Sequence, residues 1–170
     1  MNFADFNASY FREPPLDLHF VTERLAVGGA IYTVANMRSL AGSGITHVVN
    51  LQREFDDRTI VADTGVAVLC LDCADDFLPK PSELFWDAAV FTLEALRQPR
   101  ARVLFHCAAG IHRSPMMLLA ILRVLGHSPD EAIDMIAAAR PQAEFLDVYL
   151  DSIEDFLLEY RATQDSDPQP

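Results

Sequence analysis

Lysine is almost missing from this chain: Lys80 stands alone among 170 residues. Basic residues number 13 against 25 acidic ones, leaving a net charge of −12. A balance this acidic carries no electrostatic footprint for nucleic acid or for an anionic membrane surface. Cysteine is scarce and odd in number, at three, which argues against a disulfide framework and fits a reducing cytoplasm. Long apolar runs are absent too. None approaches the roughly 18 residues that would cross a bilayer. The first twenty residues carry Asp5, Arg12, Glu13 and Pro14-Pro15 and lack the basic start and apolar block of a secretory signal. Cys70 and Cys73 are spaced C-x-x-C, yet no second pair or histidine cluster accompanies them, so neither a metal nor another cofactor is expected. No internal repeat is present. The expectation is a soluble cytoplasmic protein without nucleic-acid or membrane-inserted partners.

What the chain does have is apolar content, 51% over 170 residues, enough for one domain with a sizeable core. Residues 1–19 read as an irregular arm. A strand over Phe20–Val27 is stopped by Gly28-Gly29, and a short helix over Ala35–Leu40 is closed by Gly42 and Gly44. The β-branched run Ile45–Leu51 predicts a buried strand, Arg53–Asp63 a charged connection, and Val66–Leu71 another buried strand. Ser82 is positioned to cap a helix carrying Phe85, Ala88, Ala89, Leu93 and Leu96 at helical spacing. Pro99 precedes a strand over Arg102–Phe105, and three helices follow over Pro115–Leu125, Ser128–Ala139 and Ala143–Tyr160. The order predicts a single α/β domain over residues 1–162, with a central, mostly parallel twisted sheet flanked by helices on both faces. Residues 163–170 are polar and proline-containing, and read as a disordered tail.

The chemistry concentrates between the last strand and the helix after it, in His106-Cys107-Ala108-Ala109-Gly110-Ile111-His112-Arg113-Ser114-Pro115. A loop joining a buried strand to a helix N-terminus presents backbone N–H groups and the positive end of a macrodipole, which makes an anion site. A phosphate there would take the N–H groups of Ala108, Ala109, Gly110, Ile111, His112 and Arg113. The Arg113 guanidinium would add a bidentate pair. Small residues keep the loop open, and Gly110 permits unusual dihedrals. The helix end and Arg113 favour Cys107 as a thiolate, placed for in-line attack on phosphorus and a phosphocysteine intermediate. Ser114 can donate to that sulfur, and His106 is expected to point away and fix the loop. Requiring His before the cysteine, Gly three after it, Arg six after and Ser next cuts chance matches about ten-thousand-fold.

These residues resemble the signature loop of the cysteine-dependent protein tyrosine phosphatases, most nearly the dual-specificity branch. Gly44–Leu51 is similar to that branch's early strand, Arg113-Ser114 with Leu119–Leu122 to its helix after the loop, and Ala138-Ala139-Arg140-Pro141 to a helix end. The similarity covers roughly residues 20–160. Three departures stand out. His112 occupies a position where Ser or Gly is usual, Ile121 one where Tyr is common, and the Pro-Asn pair that often follows Arg-Pro is missing. The first and the last bear on substrate rather than on chemistry.

Ester cleavage needs a proton donor for the leaving oxygen, and Asp72, Asp75 and Asp76 share one loop after a buried strand. The resemblance implies an acid a few residues beyond that strand and ten before an aromatic on the next helix. Asp75, ten before Phe85, fits that spacing, with Asp72 and Asp76 as alternatives. Cys70 reads as a buried strand residue, and Cys73 is a candidate disulfide partner for oxidised Cys107. His19, His47 and His127 have no evident partners. The compact chain and the neutral Ala108, Ala109 and Ile111 favour phosphoprotein as substrate. A small phosphorylated metabolite or phosphoinositide is the alternative, and a phosphopeptide-binding module that does not turn over is the reading from another class.

Overall fold

A computed structural model describes residues 15–166. Five short strands form one sheet in the order β1-β2-β5-β3-β4: β1 (Leu18–Phe20), β2 (Leu25–Gly28), β3 (His47–Asn50), β4 (Ala67–Cys70) and β5 (Val103–His106). β1 runs antiparallel to β2, and the other pairings are parallel. The expected α/β domain with a mostly parallel sheet is therefore what the chain forms. β5 lies between β2 and β3, paired along its whole length, with His106 opposite both Gly28 and Asn50. Residues just past its carboxyl end emerge at the middle of the sheet, where open parallel sheets place their ligands.

Alternation along the strands divides the core in two. Ala26, Val48 and Leu104 face a smaller cluster with Met37 and Leu40 of α1 (Val34–Gly42). Val27, Val49, Val103 and Phe105 face the larger one, built by α2 (Ser82–Leu96), α3 (Arg113–Val124), α4 (Pro129–Ala139) and α5 (Asp147–Ser166). α3 is the central helix: residues Arg113 to Leu122 are all buried, and it packs on α2, α4 and α5. That accounts for its unbroken apolar sequence, which no one-sided amphipathic pattern describes.

Several boundaries differ from the sequence reading, among them the start of the last helix, at Asp147 and not Ala143. The strand expected over Phe20–Val27 is two strands, because the chain reverses at residues 21–24 with the Val21 and Thr22 N–H groups both donating to the Leu25 carbonyl. β1 begins inside the expected irregular arm, whose residues 1–14 lie outside the described residues. Ser82 is the first residue of α2 and not its cap; Pro81 takes that position, and the Ser82 hydroxyl donates to Glu159 Oε1 on α5 at 2.9 Å. α5 continues to Ser166, into the stretch expected to be disordered, while residues 167–170 lie outside the described residues. Ser128 is a cap as expected, forming a capping box with Glu131 at the start of α4.

α2 and α5 meet along an aromatic seam. Phe156 stacks on Phe85 at 5.4 Å between centroids and meets Trp86 edge-on at 5.6 Å. Phe156→Ala should cost about 3–5 kcal/mol in urea unfolding, against about 1 kcal/mol for Ser128→Ala. A loss for Phe156→Ala no larger than that for Ser128→Ala would show that this seam does not hold the helical face.

Candidate active site

The loop from Cys107 to His112 is shaped by what takes its carbonyls. Ala108 O accepts from Ala30 N at 3.0 Å and Ile111 O from Glu144 N at 2.9 Å, while His112 O accepts from Met116 N at 3.0 Å inside the first turn of α3. Ala109 O and Gly110 O both accept from the guanidinium of Arg140, through Nη2 at 2.9 Å and Nε. Five consecutive carbonyls are thus held by donors around the loop. In a trans peptide the C=O and the following N–H point opposite ways, so the N–H groups of residues 109–113 turn toward the loop's centre. Gly110 N–H donates there, to Cys107 Sγ at 3.2 Å.

Arg140 sits behind this arrangement fully buried, its charge met by Asp17 at 2.6 Å through both carboxylate oxygens. That pairing holds the Asp17 carboxyl below its ordinary range. His19 Nδ1, a histidine without an evident partner in the sequence, accepts from Arg140 Nη1 at 3.0 Å. Gly110 has φ +66°, and a Cβ there would run into the Arg140 guanidinium and lie 2.6 Å from Gly28 O. Only glycine fits between them.

Cys107 is buried and free, and Cys73 (buried) and Cys70 (partly so) are free as well. Ser114 Oγ lies 3.4 Å from its sulfur and 3.1 Å from Gly28 O. One hydroxyl proton serves only one of them at a time. With it on Gly28 O, a Cys107 thiol donates to Oγ; facing a thiolate, the hydroxyl turns to the sulfur. α3 starts at Arg113 without a side-chain cap bond from His112, which leaves first-turn N–H groups for an anion. His106 points away from the loop, as expected. Its Nε2 meets Asp57 Oδ2 at 2.6 Å, both side chains fully buried, and Asn50 Nδ2 donates to the other Asp57 oxygen at 3.0 Å.

Arg113 is buried and held on several sides. Nη1 donates to Leu51 O and Cys73 O, each at 3.1 Å, and Glu54 binds both terminal nitrogens, at 3.1 and 2.8 Å. The Arg113 partner holds the Glu54 carboxyl down at about 2. Nε, also buried, makes no hydrogen bond among the described residues. Asp75 Oδ2 lies 3.3 Å from Arg113 Nη2, and its Oδ1 3.9 Å from His112 Nδ1. Asp72 and Asp76 are engaged elsewhere, with Arg53 and Lys80. Of the three loop aspartates, Asp75 is the one beside Arg113.

His112 lies at the rim, its Nε2 3.0 Å from Glu144 Oε2 and its ring edge-on to Phe77 at 5.2 Å. Ala108, Ala109 and Ile111 supply backbone here. Cys73 is buried below the acidic loop, and burial pushes its thiol up to about 11. Cys70 donates its S–H to Asp56 at 3.2 Å.

Glu54, Asp57, Asp17, Arg140 and Lys80 are the site-supporting residues that sequence reasoning missed. Glu54 carries a local signal, since an acid three residues past the buried Leu51 lies at the mouth beside β5. Lys80 is four residues past Asp76 on the same loop, and the others are brought in by the fold from far along the chain.

No group of three or more His, Cys, Asp or Glu among the described residues forms a metal-binding cluster. None of the described helices is long and apolar enough to cross a membrane.

Comparison with known proteins bears on this loop. The sequence pattern described as the dual specificity phosphatase catalytic domain matches residues 29–155. Rat dual specificity protein phosphatase 26 is 36% identical over 94 residues, covering 54% of this chain and 44% of the relative. Mouse dual specificity protein phosphatase 13B is 32% identical over 126 residues, covering 69% and 64%. The matches thus span about half to two thirds of these relatives' length. Among solved structures, PTPMT1 in complex with PI(5)P superposes with a TM-score of 0.76 at 22% identity, covering 87% of this chain and 99% of that one. Human DUSP28 gives 0.73 at 25% identity, covering 88% and 97%. With that match over most of its length and the Cys107–Ser114 loop at the end of its central strand, the chain belongs to the dual-specificity phosphatase catalytic-domain family.

Proposed function

We propose that this protein hydrolyses phosphate monoesters through a phosphocysteine intermediate, with phosphotyrosine, phosphoserine and phosphothreonine of proteins as the substrate class. The observation that carries the reading is one juxtaposition: Cys107 Sγ under inward-turned N–H groups, beside a buried arginine with a free Nε and a carboxylate 3.3 Å from that arginine. Family membership supports it.

In the first step the Cys107 thiolate attacks phosphorus and the ester P–O bond breaks, while Asp75, as the protonated carboxylic acid, gives its proton to the leaving oxygen and is left as the carboxylate. The non-bridging oxygens take the N–H groups of residues 109–113 and the Arg113 guanidinium, which hold the growing equatorial charge in a preorganised site. Phosphate drawn to Nε and Nη2 competes with Asp75 for Nη2 and releases that carboxyl to the leaving group. In the second step Asp75 takes a proton from water, the water oxygen bonds to phosphorus, and the P–S bond breaks. Ser114 Oγ–H turns from Gly28 O to the departing thiolate. Cytoplasmic residence is part of the same reading and rests on the free cysteines.

A small phosphorylated metabolite or a phosphoinositide is the second reading, favoured by the superposition on PTPMT1 in complex with PI(5)P. The charges at the mouth weigh against a polyanionic ligand. Glu54 and Asp75 flank Arg113 and Glu144 meets His112 there, while Arg53 and Lys80 already hold Asp72 and Asp76 of the loop that carries Asp75. A phosphopeptide-binding module without turnover is disfavoured by the thiol and the carboxyl standing ready at one loop.

Wild-type protein should release phosphate from aryl phosphates at pH 5–7, and Cys107→Ser, still folded, should lose that activity by at least about a thousand-fold. Equal rates for the two would leave only the binding-module reading. Asp75→Asn should lower kcat about 10²-fold and remove the basic limb of its pH profile, while Asp72→Asn leaves both unchanged. The reverse pattern moves the acid to Asp72. Across a substrate panel, phosphopeptides should be turned over faster than phosphoinositides or phosphosugars.

Glu54→Gln should raise KM for aryl phosphate several-fold by loosening Arg113. Because the folded-state pKa of Glu54 is depressed to about 2, its contribution to stability is present above about pH 4.5 and fades as the pH falls toward 2. Urea unfolding should therefore separate wild type from Glu54→Gln at neutral pH and bring them together near pH 2. Glu54 is half-exposed, so the separation should be modest. A gap that widens on acidification would contradict the pairing.

A further inference from the structure

The chain's single lysine is buried: the Lys80 side chain is 4% exposed. Its ammonium donates to Ala74 O at 2.8 Å and to the carboxylate of Asp76. These are the two residues on either side of Asp75. Below it the Tyr149 ring of α5 lies 5.3 Å from Nζ, a cation–π contact. Lys80 is itself tied to α5, because its backbone N–H donates to Ser152 Oγ at 3.0 Å, and that hydroxyl donates to Val148 O. The loop's first part is fixed from another direction, through Arg113 Nη1 on Cys73 O.

An ammonium taken out of water costs free energy that a partner as exposed as Asp76 offsets only in part. Packing alone would be served as well by an apolar chain of the same length. What the charge does is local: it holds one peptide unit before Asp75 and one side chain after it. The next residue, Phe77, sits at φ +56°, a left-handed conformation that bulky side chains rarely adopt and that persists where the surroundings over-determine it.

Building on the phosphatase reading above, we infer that Lys80 is a positioning residue for the general acid: it clamps Ala74 and Asp76 so that the Asp75 carboxyl is presented at the mouth of the Cys107 loop. It touches neither phosphate nor leaving group, and acts only through Asp75. Its removal therefore matters in proportion to how much the leaving oxygen needs a proton.

The test is kcat/KM, which reports the steps through phosphoryl transfer to Cys107, measured on phenyl phosphate and on 4-nitrophenyl phosphate. Phenoxide is a poor leaving group and needs the proton; 4-nitrophenoxide departs readily without it. Lys80→Met should lose about ten-fold on phenyl phosphate and less than about three-fold on 4-nitrophenyl phosphate. In an Asp75→Asn background, Lys80→Met should cost no more than about two-fold further. Asp76→Ala, which removes one anchor from an exposed position, should repeat the pattern at smaller size. If thermal melting shows that Lys80→Met does not fold, the same two-ester comparison on Asp76→Ala decides the matter. A loss equal on both esters, or one that multiplies fully with Asp75→Asn, overturns the inference while the phosphatase reading stands. Wild type no faster than Cys107→Ser on either ester overturns both.

Discussion

The site depends on which way a few peptide units face. Anion binding at Cys107 requires N–H groups that converge, and those converge only because the carbonyls of residues 108–112 are all taken from around the loop. Two of the five rest on one side chain, Arg140, which is buried and would be costly without Asp17 beside it. Gly110 makes the approach possible by having no Cβ where the guanidinium lies. The signature loop is thus one half of a device whose other half comes from the end of α4 and from the segment just before β1.

The same pairing recurs in the supporting charges. Arg113 has Glu54 and Asp75, His106 has Asp57, and Lys80 has Asp76. Each of these buried cationic or ring nitrogens meets a carboxylate, so the scaffold around the loop carries no excess of positive charge before a ligand arrives. A phosphate entering it would meet backbone dipoles and one guanidinium whose Nε has no hydrogen-bond partner among the described residues. It does not meet a basic pocket. Under the proposed function this would favour a ligand with one phosphate over one with several.

What could be read along the chain was what is local. Cys107, Gly110, Arg113 and Ser114 lie within eight residues, and the strand and helix framing them are short-range patterns; the loop and the parallel sheet were legible for that reason. The supports were not, because no spacing rule joins Asp17 to Arg140 or Asp57 to His106, residues 123 and 49 apart in the chain. β1 escaped notice because its three residues are mostly exposed and carry no alternation. Ser82 misled because a serine before an apolar helix satisfies the capping pattern, while here its hydroxyl is used between helices. The tail misled through composition: polar residues extend α5 to Ser166, with no apolar face required of its last turn.

Net charge and site chemistry answer to different length scales. At −12 the chain repels polyanions at a distance, but screening confines that field to roughly 8 Å at physiological salt. The N–H groups and helix end that would hold phosphate carry no formal charge and enter no charge count. They act inside the loop, where dipoles are fixed and the dielectric is low. Under the proposed function, acidity would select among phosphorylated ligands without weakening the hold on a single phosphate. The scarcity of lysine becomes intelligible on the same terms, since the one lysine present is buried beneath the acidic loop, its charge turned to the carbonyl and the carboxylate on either side of Asp75.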